Sequence, residues 1–85
     1  MISQAFTVGT TPTLIVDAEP MTRHIYLHVV GNTAIYLGGS DVTTSTGLLT
    51  EKHTSPIEFV IPPSEQIYAV VAAATESVRV LTPNL

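Results

Sequence analysis

An all-β fold is expected for this 85-residue chain: a single-domain antiparallel β-sandwich, or small jelly-roll-like barrel, of six to eight short strands. Three features carry that expectation. The apolar stretches are short and rich in Val, Ile, Thr and Tyr, which suit a pleated, half-buried surface. Turn signals built on Gly, Pro, Asn and Asp recur about every ten residues, the spacing of a sandwich or barrel. Apolar and polar side chains alternate with period two, most cleanly in Pro56–Ile61, where Ile57, Phe59 and Ile61 share one side and Glu58 takes the other.

The elements follow in order. Ser3–Val8 alternates weakly before Gly9-Thr10-Thr11-Pro12 and reads as an edge strand or an extended arm. With little charge, residues 1–11 suit lying on a neighbouring subunit, with Phe6 and Val8 as contact residues. Thr13–Val16 is a short buried strand closed by the turn Asp17-Ala18-Glu19-Pro20, whose proline keeps Glu19 out of the α region.

Two extended runs, Arg23–Val30 and Thr33–Gly38, are joined by Gly31-Asn32 and are expected to form a hairpin. A two-residue loop would set Leu27 opposite Tyr36. One more loop residue, or a bulge, sets Leu27 opposite Leu37 and Val29 opposite Ile35. The second register makes one face wholly aliphatic (Ile25, Leu27, Val29, Ile35, Leu37) and turns His24, Tyr26, His28 and Tyr36 outward. Burial outweighs local turn preference, because a one-residue slip moves every side chain to the other face.

Beyond Gly38-Gly39 a long loop, Ser40–Thr54, is expected, with a short strand at Asp41–Thr44. The Pro56–Ile61 strand stops at Pro62-Pro63-Ser64. Gln66–Ala73 fits a strand or a helix by its alanines, and Tyr68, Val70 and Val71 favour the strand. Glu76-Ser77 reads as a turn, and Ser77–Thr82 places Val78 and Val80 inward and Arg79 outward before Pro83 ends it. No repeat or linker divides residues 1–85 into more than one domain.

Composition narrows the function classes. The chain is 45% hydrophobic and 12% charged, against about 25% charged in a usual soluble domain. Burial against other subunits, together with abundant Thr and Ser, would reconcile so little charge with solubility. Net charge is −4, and Arg23, Lys52 and Arg79 are the only cations. Nucleic-acid affinity comes from neutralised phosphates, so neither nucleic acid nor an anionic membrane is an expected partner. There is no cysteine to form disulfides. MISQAFTVGT lacks the basic and long apolar regions of a signal peptide.

No pattern for chemistry emerges, and neither catalytic residues nor a cofactor are expected. His24 and His28 on one strand stand ~13 Å apart at ~3.3 Å per residue, too far to share a zinc ion whose ligands lie at about 2.0–2.1 Å. No G-x-S-x-G elbow is present. The seven carboxylates fall mostly at turns and strand ends, where solvated roles are expected. Gly38-Gly39-Ser40 lacks the lysine and following helix of a phosphate loop. The outward aromatic group Tyr26, His28 and Tyr36 is the best interface candidate, since tyrosine pairs a large apolar area with a polar tip.

Tyr36-Leu37-Gly38-Gly39, followed by Val42-Thr43-Thr44-Ser45-Thr46-Gly47, resembles small virion structural proteins of tailed bacteriophages, of the capsid-decoration or head-fiber-like kind. Ile67-Tyr68-Ala69 and Val78-Arg79-Val80-Leu81 resemble the later strands of such proteins, so the likeness spans about Thr7 to Leu81. Where they often carry an Asn-rich turn, this chain has Gly31-Asn32-Thr33. The resemblance implies a non-enzymatic β-sandwich in the virion. The expected role is a capsid decoration protein, a homotrimer bound to the major capsid protein outside the head. A tail, baseplate or head-completion component is the alternative within that class. A small carbohydrate-binding module, resting on tyrosine with His28 and Asp41, is the alternative outside it.

Overall fold

The computed structural model describes residues 1–83, so Asn84 and Leu85 of the expected 1–85 domain lie outside the described residues. Eight strands form: β1 (Ile2–Val8), β2 (Thr13–Val16), β3 (Arg23–Val29), β4 (Ile35–Gly38), β5 (Leu48–Thr50), β6 (Ile57–Ile61), β7 (Ile67–Val70) and β8 (Glu76–Thr82). They build two four-stranded antiparallel sheets, ordered β1-β8-β3-β6 and β2-β7-β4-β5. That order is the jelly roll, in which two Greek keys wrap one sandwich. The smallest extent, 16 Å, suits two sheets packed face to face about 10 Å apart.

The core comes from the inward half of each alternation. Ile25, Leu27, Val29, Val78 and Val80 of the first sheet meet Ile15, Ile35, Leu37 and Ala69 of the second, all nearly or fully buried. Each large aliphatic removed from water contributes roughly 1.5–3 kcal/mol, the main force holding so small a domain together.

The expected β3–β4 hairpin does not form. β3 lies in the first sheet and β4 in the second, so Gly31–Ala34 arches from one layer to the other. The five aliphatics are still inside, but they face one another across the interior instead of lying side by side. Neither Gly31 nor Asn32 has a positive φ, which a two-residue hairpin turn requires. Only β4 and β5 are both consecutive in the chain and paired in a sheet.

The N-terminal segment is not a detached arm. Ile2–Val8 pairs along its length with β8 of its own chain as an edge strand. The accessible surface, 4869 Å², equals the roughly 4,900 Å² of a compact monomer of this mass. The expected strand at Asp41–Thr44 is instead a turn, and β5 lies farther on at Leu48–Thr50. Glu76 is the first residue of β8, not part of a turn.

Two glycines explain the packing of the Gly39–Gly47 loop. It folds back over the outer side of the second sheet and buries Val42 there. A Cβ on Gly38 would lie 2.7 Å from Val42 Cγ2, and one on Gly47 would lie 2.6 Å from Tyr36 Cβ. Thr43 closes the loop: its carbonyl accepts the Gly47 N–H at 2.8 Å, and its hydroxyl meets that of Thr46 at 3.0 Å.

Candidate functional site

The pairing registers decide which side chains share a surface. On the first sheet Ser3, Leu81, Tyr26 and Glu58 form one row across the four strands. Ala5, Arg79 and His28 form the next row. Their inward neighbours are core residues, so both rows lie on the outer face. There Tyr26, His28, Arg79, Leu81, Ser3 and Pro56 line a shallow, mostly apolar concavity of about 430 Å³. Tyr26 is 38% exposed and His28 is half-buried. Beside it, His24 Nδ1 and Glu58 Oε2 are 2.8 Å apart in an exposed pair. Among the described residues no hydroxyl hydrogen-bonds either histidine ring.

The five residues expected at an interface separate. Tyr26 and His28 share the concavity. Tyr36 is on the second sheet, at the opposite face, half-buried where Gly47 closes against it. Phe6 points inward from β1 and lines a small groove with Leu14 and Ile15 at the open side between β1 and β2. Val8 is completely buried, which removes it from any contact with a partner. Of the two readings of Ser3–Val8, edge strand or extended arm, only the arm would free Val8 for a partner, and pairing with β8 turns it into the core.

Arg79, Leu81, Ser3 and Pro56 were missed as site residues. The alternation of Ser77–Thr82 does show Arg79 pointing outward, but nothing local shows that β8 lies between β1 and β3.

Two charged groups elsewhere are buried, and for Glu76 this departs from the expected solvated role. Glu76 is 7% exposed, and its carboxylate accepts backbone N–H groups from Gly31, Thr33 and Ser77, each at 2.8 Å. Burial pushes this carboxyl up, but the three N–H groups and the charge of Lys52 outweigh it and hold it below the ordinary glutamate range. Arg23 is 4% exposed at the end of β3; Nη2 donates to the Glu65 carbonyl at 3.3 Å, and Nε has no partner among the described residues. It lines a second cleft, of about 210 Å³, together with Asp17 and Glu19. The Gln66 amide and the Ala18 N–H, at 2.9 and 2.7 Å, with a smaller effect from Arg23, hold the Asp17 carboxyl below its usual value against the opposing pull of desolvation.

Among the described residues no three His, Cys, Asp or Glu side chains converge as a metal site. What the outer face of the first sheet offers is an apolar hollow with an imidazole beside a tyrosine ring and a guanidinium, the last two being residue types enriched in binding hot spots. No protein-family model, curated protein or solved structure matches the chain.

Proposed function

We propose that this protein is a non-enzymatic structural component of a tailed-phage virion, a capsid decoration protein that binds the outside of the head and stabilises it. The reading is carried by the outer face of β1-β8-β3-β6, where Tyr26 and Arg79 sit in one apolar hollow. A stable interface takes about 800 Å² from each partner, roughly a sixth of the 4869 Å² surface, and one sheet face is enough ground for it. The jelly roll is an architecture of viral capsid and lectin domains, and this analogy of fold favours the virion class without deciding the function.

Self-assembly uses the edge at β1. Its sequence, ISQAFTV, is seven residues long with no charge and no proline, and one side of the strand has no strand partner among the described residues. Edges left in that state pair with other chains. The remaining edges are protected: β2 is short with a register shift, β5 has three residues, and β6 carries Glu58. A homotrimer, assembled with the β1 segment of each subunit lying on the next in a heterologous contact, docks its Tyr26 face on the major capsid protein.

Imaging of intact particles tests the proposal. Hundreds of copies over the shell are expected; a few copies at the tail or neck would move the protein to the tail or head-completion class. Ser3, His28 and Arg79 around Tyr26 also favour a carbohydrate-binding module. Saturable glycan binding by the isolated monomer would select that reading instead.

A further inference from the structure

Resting on the docking face assigned above, we infer that the surface bound there presents an aspartate or glutamate carboxylate to Arg79 and His28. The three cations of the chain lie in different settings. Arg23 is buried in a cleft with Asp17, and the charge of Lys52 acts on Glu76. Arg79 alone projects from the middle of the outer face, and among the described residues it makes no ion pair. The one outward carboxylate on these four strands, Glu58, is held by His24 instead.

Arg79 and His28 are direct cross-strand neighbours and line the same hollow. His28 Nδ1 is enclosed without a partner, which leaves Nε2 as the ring nitrogen able to meet a ligand. A guanidinium gives two parallel N–H groups to a carboxylate, and an imidazole adds a third donor. Tyr26, Leu81 and Pro56 around them exclude water on docking, which strengthens the pairing. In a protein of net charge −4, a single uncompensated cation inside the contact patch sets the orientation of the partner more than its overall attraction.

The test uses the intact ¹⁵N-labelled protein titrated with N-acetylglutamic acid α-amide or N-acetylglutamine α-amide, which differ only in the side-chain carboxylate, at constant ionic strength. The Arg79 Nε–H and His28 ring resonances are expected to shift and saturate with the acid alone. Equal responses to acid and amide, or no response to the acid, overturn the inference. Tighter binding of glucuronic acid than of N-acetylglutamic acid α-amide also overturns it, in favour of a sugar ligand. On phage heads lacking the protein, Arg79→Gln is expected to lower occupancy about tenfold, Arg79→Lys less, and Tyr26→Ser also to lower it. Full occupancy by Arg79→Gln with loss for Tyr26→Ser eliminates the carboxylate and keeps the docking face. Full occupancy by both eliminates the face itself.

Discussion

The carboxylate of Glu76 holds the backbone N–H of Gly31 at 2.8 Å, tying the first residue of β8 to the arch that carries the chain from β3 to β4. With Thr33 bound by the other oxygen at the same distance, one side chain satisfies two donors of a loop that has to cross between the sheets. Replacing Glu76 with Ala leaves these part-buried N–H groups without their partner. A loss of about 2 kcal/mol or more is expected, lowering Tm by roughly 8–16 °C in a domain of this size. Thermal denaturation followed by circular dichroism measures it, and a shift of under a few degrees would remove the clamp from the account.

Gly31 and Glu76 should also be coupled. A Cβ on Gly31 would lie 2.5 Å from Glu76 Oε2, so Gly31→Ala displaces a carboxylate pinned by three hydrogen bonds. In the Glu76→Ala background the same substitution meets nothing so rigid. A double-mutant cycle is therefore expected to show an interaction energy of about 0.5–3 kcal/mol; simple additivity would contradict it.

The same carboxylate predicts how stability varies with pH. Its folded pKa lies below its unfolded value, so its contribution is complete above the unfolded pKa of about 4.3. It is lost as pH falls through the folded pKa, because the unfolded chain takes up the proton first. Asp17, also depressed, acts in the same direction at lower pH. Tm should stay level from pH 7 to about 5 and fall below about 4.3, with a shallower fall in Glu76→Gln. An identical acid profile in the variant would assign the loss to other groups.

Tyr26 and Tyr36 should respond differently to replacement by serine. Tyr26→Ser removes an exposed ring from the docking face and is expected to weaken assembly or capsid binding with Tm nearly unchanged. Tyr36→Ser opens the packing beneath Gly47 and is expected to cost stability while leaving docking intact. Parallel melting and particle co-sedimentation read both effects, and the opposite assignment would reverse the roles of the two sheets.

The edge strand gives a prediction about mass in solution. A lysine in an unpaired strand edge opposes pairing with another chain. Thr7→Lys, at an exposed position of β1, is therefore expected to shift the protein toward monomer in light scattering without lowering Tm. An unchanged oligomer mass would place self-assembly elsewhere.

Gly47 offers a local test of the loop. Alanine there meets Tyr36, Val42 and the Thr43 carbonyl within 3.0 Å, and overpacking of this kind costs typically about 1–3 kcal/mol. Alanine at Gly9, with nothing within 4 Å, is the control and should be close to neutral by urea denaturation.

The sequence by itself determined which side chains point inward. Period-two alternation marked Ile25, Leu27 and Val29, then Ile35 and Leu37, then Val78 and Val80 as core, and all are buried. It also marked Arg79 and Tyr26 as outward, because a strand's two faces are set by its own residues. Only the tertiary structure decided which strands are neighbours. Ile35 and Leu37 are equally buried beside β3 or across from it, so alternation could not tell a hairpin from an arch between sheets. For the same reason Tyr26 and Tyr36 looked like one face and lie on opposite ones, and Arg79 entered the site only through the non-local pairing of β8 with β3. From the sequence Glu76 is a solvated turn residue, because its partners, Gly31 and Thr33, lie more than forty positions away and bind through the backbone, which leaves no mark in side-chain pattern.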